Sequence, residues 1–253
     1  MSELSCIFFK DAVSYINISY RLLDSSEIKS HSYIVRPEVT VTLDNQIIIS
    51  PSIKEAKEDV MNKNKPQQHQ DGYIITFILK PLVDIELECF EIKYLVDFSN
   101  LKMIANGYQS WSQTGELHKD DMIGTIRKSI VWCAQHIFQR GDAIFNGSSE
   151  KGHIQSSGYT HFRDINNNII YLGSLSEHHG YTYFKADFNS STFEIYKDIK
   201  GKRVIANESL HLVKIWTCHG NNAEKLLWDT YITYIEDRRA IENNEKVYHH
   251  ANG

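Results

Sequence analysis

Tyr108, Gln109, Ser110 and Trp111 stand in a row: two aromatic rings around an amide and a hydroxyl. Rings of this kind stack on the apolar face of a pyranose, and short polar side chains fix its hydroxyls. The apolar run Met103-Ile104-Ala105 leads into Asn106-Gly107, a dipeptide that tolerates positive φ and marks a tight turn. The residues alone leave two readings. One is a hairpin turn whose rings pack in the core, as buried Trp and Tyr usually do. The other is a loop that presents a wall of a sugar site.

Other residues with chemical potential are weaker candidates. Asp84, Asp97, Asp120, Asp121, Asp142, Asp164 and Asp187 fall among turn-forming or polar neighbours, so each is expected to serve a turn or a solvated face. His178 and His179 are adjacent, and on a strand they would point to opposite faces, so a turn is expected rather than a metal site. Cys6, Cys89, Cys133 and Cys218 are widely spaced with no Cys-x-x-Cys pair, and reduced thiols are expected. The sequence contains no His-Glu-x-x-His, P-loop, Gly-x-Ser-x-Gly or dinucleotide fingerprint.

The elements that must carry these residues are strands. Tyr15–Tyr20, Tyr33–Val35, Gln46–Ser50, Tyr73–Leu79, Asp84–Val96, Tyr159–Arg163, Ile169–Leu175, Tyr181–Asp187, Thr192–Tyr196 and Ser209–Trp216 are rich in β-branched and aromatic residues. Most alternate apolar with polar. In Asp84–Val96, Ile85, Leu87, Cys89 and Glu91 are assigned to one face and Glu86, Glu88, Phe90 and Ile92 to the other. Ile169–Leu175 has few polar residues, as expected of a central strand buried on both faces. Residues 53–72 are polar and are expected to form an exposed excursion. Residues 115–150 are less regular, and Ile130–Cys133 with Ile137-Phe138 fits either strand or short helix.

The period changes after residue 220. Ala223, Leu227, Tyr231, Tyr234 and Ile235 recur at helical spacing, Asn221 or Asn222 can cap the helix, and Arg238 and Arg239 suit its C-terminal dipole. The expected organisation is therefore an all-β, antiparallel domain over residues 1–220, followed by a helix and linker over 221–253. A (β/α)₈ barrel, which needs about 250 residues of alternating strands and helices, is not encoded here.

The chain has 253 residues, 42% of them hydrophobic and 23% charged, with a net charge of −5. This balance, without a Lys/Arg block, argues against nucleic acid as a partner. No apolar run reaches the roughly 20 residues of a membrane span. The N-terminus lacks the basic and apolar regions of a signal peptide, so a cytoplasmic location is expected.

Asn106-Gly-Tyr-Gln-Ser-Trp-Ser112 resembles the Asn-Gly/Asn-Trp-Gln-Ser-Trp-Ser/Gly signature in the N-terminal β-sandwich of melibiase-type alpha-galactosidases, glycoside hydrolase family thirty-six. Tyr108 departs from that family's usual Trp and keeps an aromatic ring. Ser156–Arg163, Gly173–Ser176 and the helix leading to Asn243-Asn244 follow in the family's order. The resemblance implies a β-supersandwich of the galactose-mutarotase type, whose C-terminal helix leads into a TIM barrel that lies outside this chain.

The resemblance also implies hydrolysis of terminal α-galactosyl units with retention by the whole enzyme, and a homo-oligomer. Retaining glycosidases use two carboxylates about 5 Å apart. In this family both are barrel aspartates, so no catalytic residue is expected within these 253 residues. The implied role of Trp111 is one wall of the galactose subsite, with Tyr108, Gln109 and Ser110 shaping the loop. No metal and no cofactor is implied. The alternative expectation is a free-standing carbohydrate-binding sandwich without catalysis.

Overall fold

The segment Thr192–Lys197 shows how this sequence builds its sheets. Phe193, Ile195 and Lys197 point inward and are buried, while Thr192, Glu194 and Tyr196 line the other face. A period of two is what a half-buried strand requires. In the computed structural model, residues 13–34, 36, 39–55, 72–107, 114–121, 150–177 and 180–227 are described. Their strands are β1 (Val13–Leu22), β2 (Lys29–Ile34), β3 (Val41–Leu43), β4 (Ile47–Glu55), β5 (Gly72–Pro81), β6 (Ile85–Leu95), β7 (Lys102–Ala105), β8 (Gly115–Leu117), β9 (His153–Ser157), β10 (Tyr159–Arg163), β11 (Ile169–Ser174), β12 (Thr182–Asp187), β13 (Thr192–Lys197), β14 (Lys202–Val204) and β15 (Leu210–Gly220).

These strands form two antiparallel sheets. One runs in the order β2-β1-β6-β13-β12-β9, with β14 also pairing β6. The other runs β3-β4-β5-β15-β11-β10-β7-β8. Their inner faces meet in a core that includes Ile16, Tyr20, Phe77, Phe90, Tyr94, Phe162, Phe184, Phe193 and Ile215. This is the all-β antiparallel sandwich expected from the alternation. β11 is central, lying between β10 and β15, and nearly all of it is buried.

Two departures from simple alternation have a physical cause. Between Ser19 and Tyr20 the register of β1 against β6 shifts. That bulge puts Phe90, Ile92 and Tyr94 on the core face with Ile85 and Leu87, and leaves Cys89 only half-buried. The strict two-face assignment of Asp84–Val96 is thereby corrected, because one extra residue reverses the phase of the strand. β15 has a second shift between His211 and Val213, so Leu210, Leu212, Val213 and Ile215 are all buried. The excursion expected over 53–72 is also shorter: β4 continues through Glu55, which pairs with Tyr73. Residues 56–71 lie outside the described residues.

The outer face of the second sheet carries its own apolar cluster of Ile74, Ile169, Tyr171, Trp216, Cys218 and Leu226. Leu226 follows α1 (Ala223–Lys225), whose N-cap is Asn222. The Asn222 Oδ1 accepts from the Lys225 N–H at 3.0 Å, as the capping rule anticipates. The remainder of the helix expected to residue 240 lies outside the described residues. No helix among the described residues is long and apolar enough to cross a membrane.

Candidate functional site

The residues from Tyr108 to Gln113, including Gln109, Ser110 and Trp111, lie outside the described residues. What the structure places is the ground on either side of them. Asn106 and Gly107 leave the end of β7, and Thr114 enters β8, with Ala105 paired to Gly115. β7 and β8 pair antiparallel at the edge of the second sheet, and the signature segment falls between them in sequence.

Asn106 is tied down three times. Its backbone N–H donates to the Ser156 Oγ at 2.8 Å, and its side-chain Nδ2 donates to the Ser157 carbonyl at 2.8 Å. Its own carbonyl accepts from the Ser157 N–H at 2.8 Å. The Ser156 hydroxyl then donates to the Tyr159 carbonyl at 2.6 Å. A second hydroxyl, Thr160 Oγ1, donates to the Ile104 carbonyl at 3.1 Å. Ser156 and Thr160 are fully buried, so these hydrogen bonds satisfy groups that would otherwise be costly to desolvate.

Ser156 to Thr160 is also where the chain crosses from one sheet to the other. The crossing turns on Gly158, whose φ of +75° lies in the region that favours glycine. The Gly158 N–H donates to the Thr182 carbonyl at 3.0 Å, and its carbonyl accepts from the Ser174 N–H at 2.8 Å. Beyond it lies a buried polar group. Ser174 Oγ and Thr182 Oγ1 are 2.8 Å apart. Lys197 Nζ donates to the Ser176 carbonyl at 2.7 Å, to Thr182 Oγ1 at 3.1 Å and to Ser176 Oγ at 3.3 Å. Burial pushes the Lys197 ammonium down to about 8, against the opposing pull of Glu177 and Asp198.

A second polar centre braces the β8 arm. Arg163 Nε and Nη2 donate to the Glu116 carboxylate at 2.9 and 2.7 Å, and His161 Nε2 lies 2.6 Å from Glu116 Oε1. Burial pulls the Glu116 carboxyl up, but hydrogen bonds from Arg163 and His161 outweigh it and hold it below its ordinary value. Burial pushes the His161 imidazolium down, and Glu116 only partly opposes this. His161 is thus neutral at pH 7 and donates its Nε2 proton to the carboxylate.

Four of the candidate aspartates are occupied locally. Asp97 accepts from the Ser99 N–H, Asp121 from His118, Asp164 from Asn166 and Asn168, and Asp187 from Asn189. Asp84 accepts from the Ala206 N–H at 2.8 Å, a contact between segments 122 residues apart in sequence. Among the described residues no cluster of three or more His, Cys, Asp or Glu could hold a metal ion. His178, His179 and Asp142 lie outside the described residues; of the described cysteines, Cys89 is half-buried and Cys218 buried.

The sequence does not single out Glu116, His161, Arg163, Thr182 or Lys197 as site residues by motif. Lys197 nevertheless carries a readable signal: it falls on the apolar phase of Thr-Phe-Glu-Ile-Tyr-Lys, two residues after Ile195. The Glu116 centre carries none, since its partners are 45 and 47 residues away in sequence.

No protein-family model matches this chain, and no curated protein matches it. Among solved structures it is similar to the alpha-galactosidase TtGalA from Thermus thermophilus. In the stachyose complex the identity is 12%, the TM-score is 0.34, and the match covers 59% of this chain and 29% of that one. In the p-nitrophenyl alpha-D-galactopyranoside complex the values are 10%, 0.40, 78% and 31%. The alpha-galactosidase from Lactobacillus brevis is 6% identical with a TM-score of 0.35, over 83% of this chain and 30% of that one. The chain therefore spans less than a third of each of these enzymes' length.

Proposed function

We propose that this chain is the N-terminal, non-catalytic β-sandwich of a melibiase-type alpha-galactosidase. The whole enzyme would release terminal α-galactosyl units from sugars such as melibiose and raffinose with retention of configuration. The sandwich would brace a C-terminal TIM barrel, help assemble a homo-oligomer, and lend Trp111 to the rim of the sugar pocket. Tyr108, Gln109 and Ser110 would shape the loop that carries Trp111.

One observation carries this reading. The segment Asn106–Ser112, with its family-like order of residues, departs from a root fixed by three hydrogen bonds at a sheet-crossing corner. A loop that only turned a hairpin would not need its first residue held by two successive residues at the end of β9, some 50 positions on in sequence. A loop that must present rings at a defined position does need such a root.

Two assays test it. The 253-residue chain alone is expected to leave p-nitrophenyl α-galactoside unhydrolysed. In the native polypeptide carrying this segment, Trp111→Ala is expected to raise KM for melibiose by about tenfold or more, the loss of one stacking wall. Turnover by the pure chain, abolished by mutating one of its own aspartates, would overturn the proposal. Tight raffinose binding by the isolated chain, lost on Trp111→Ala, would favour a free-standing carbohydrate-binding sandwich.

A further inference from the structure

Lys197 is fully buried, yet among the described residues no carboxylate lies within hydrogen-bonding distance of its ammonium. All three of its protons go to neutral oxygens. Burying a charge in this way is costly unless its geometry does something an apolar side chain would not. The geometry is a strut between the sheets. Lys197 ends β13 and, with Thr182 beside it, belongs to the first sheet. Ser176 follows β11 of the second sheet, and its hydroxyl accepts from the Lys214 N–H of β15 at 3.1 Å. The Leu175 N–H also donates to the Lys214 carbonyl, at 2.7 Å. The lysine thus joins both sheets at the end of the sandwich from which the signature loop departs.

From Thr182 the connection continues to that loop. The Thr182 carbonyl holds the Gly158 N–H, Gly158 follows Ser157, and Ser157 exchanges hydrogen bonds with Asn106. We propose that Lys197 is a positioning residue for the β7–β8 loop, setting through Thr182 and Gly158 the placement of its root at Asn106. That the loop then faces a sugar rests on the function proposed above; the coupling between Lys197 and Asn106 does not. The charged groups acting on Lys197 are Glu177, in the connection it grips and itself accepting from the Thr182 N–H, and Asp198, next in the chain. Both favour the ammonium, and burial opposes it.

The test is a pH titration of the 253-residue chain by NMR between pH 6.5 and 10. It follows Lys197 Nζ together with carbon-detected resonances of Asn106 and Gly158. The expected result is a common midpoint near 8 for all three groups, and loss of the Asn106 shift in Lys197→Met. A Lys197 that titrates while Asn106 stays still would overturn the inference. So would an Asn106 shift that persists in Lys197→Met. If that variant fails to fold, the wild-type titration decides alone, because a purely structural lysine would not move a resonance at the loop root. Absence of sugar binding or turnover alongside intact coupling would count against the proposed function and leave this inference standing.

Discussion

Two polar centres, one half-buried around Glu116 and one fully buried around Lys197, lie near the root at Asn106 and meet the cost of burial in opposite ways. Glu116, His161 and Arg163 form a compensated group: a carboxylate faces a guanidinium, and a neutral imidazole donates into the pair. Lys197 stands among neutral oxygens, with no counter-ion in contact among the described residues. The first arrangement keeps its charges at neutral pH and resists loss of a partner badly, since a buried charge left alone is costly. The second is poised near the edge of its charged range, and its cost depends on pH. The contrast divides the loop's support into a fixed arm, β8, and a titratable one, the Gly158 corner.

The sharpest way to break the Lys197 side is through backbone rather than charge. Gly180 has a φ of +131°, and a Cβ there would fall 1.9 Å from the Asp198 carbonyl oxygen, beside Lys197. Gly180→Ala is expected to cost at least about 3 kcal/mol, because neither the backbone nor the clashing carbonyl can yield cheaply. Chemical denaturation measures it. A loss under about 1 kcal/mol would mean that this connection is free to move and cannot anchor Thr182.

Glu116→Ala tests the compensated side. It should cost about 2 kcal/mol at pH 7, since it leaves the buried His161 without its acceptor and Arg163 with Asn167 in place of a carboxylate. The pH dependence follows from the signs. Glu116 is depressed in the fold, so its contribution is present above the ordinary glutamate value and is lost as pH falls through its folded value. His161 is depressed too, so the unfolded chain takes up its proton first and stability falls as pH drops below the ordinary 6.5. Removing Glu116 should therefore flatten the profile below the ordinary glutamate value, while the fall below 6.5 stays, because His161 loses the one group that holds its value up.

On the alkaline side Lys197 acts in the stabilising direction. Between about 8 and the ordinary 10.5 the unfolded lysine holds a proton that the folded one has released, so stability should rise with pH. The gain should reach about 2 kcal/mol by pH 10, and Lys197→Met should lack it. Burial also raises Cys89 and the tyrosines Tyr20, Tyr33, Tyr94, Tyr159 and Tyr196, with Tyr20 pushed up to about 12, so their earlier ionisation in the unfolded chain opposes the rise from about pH 9 and reverses it above pH 10 in both proteins. Thermal melts of both proteins from pH 7 to 11 show whether the rise is specific to Lys197.

Much of this fold was legible because its strands are half-buried. Phe193 and Ile195 announce their face by alternation, and Asn222 announces a helix start by its chemistry. The phase slips in β6 and β15 were not legible, since a bulge is set by a partner strand far away in sequence. The same limit hid the loop's support. Asn106 reads locally as a turn residue, whereas its partners Ser156 and Ser157 lie 50 and 51 positions on. Lys197 is the exception: a lysine on the apolar phase of a strand stands out in the bare alternation of residue types.

The smallest expected effect is also the most discriminating for the corner that joins the two centres. Gly158 has a φ of +75°, but a Cβ added there meets nothing within 4 Å. Gly158→Ala should thus cost only the conformational penalty of a left-handed alanine, about 1 kcal/mol. Relief of that penalty requires the backbone to rotate, and rotation would pull the Gly158 N–H from Thr182 and its carbonyl from Ser174. A small stability loss accompanied by a large change in the Asn106 resonances would show that the corner transmits strain from the titratable arm to the loop. The same small loss with Asn106 unchanged would place the loop's support on the β8 arm, where Glu116, His161 and Arg163 would hold it unaided.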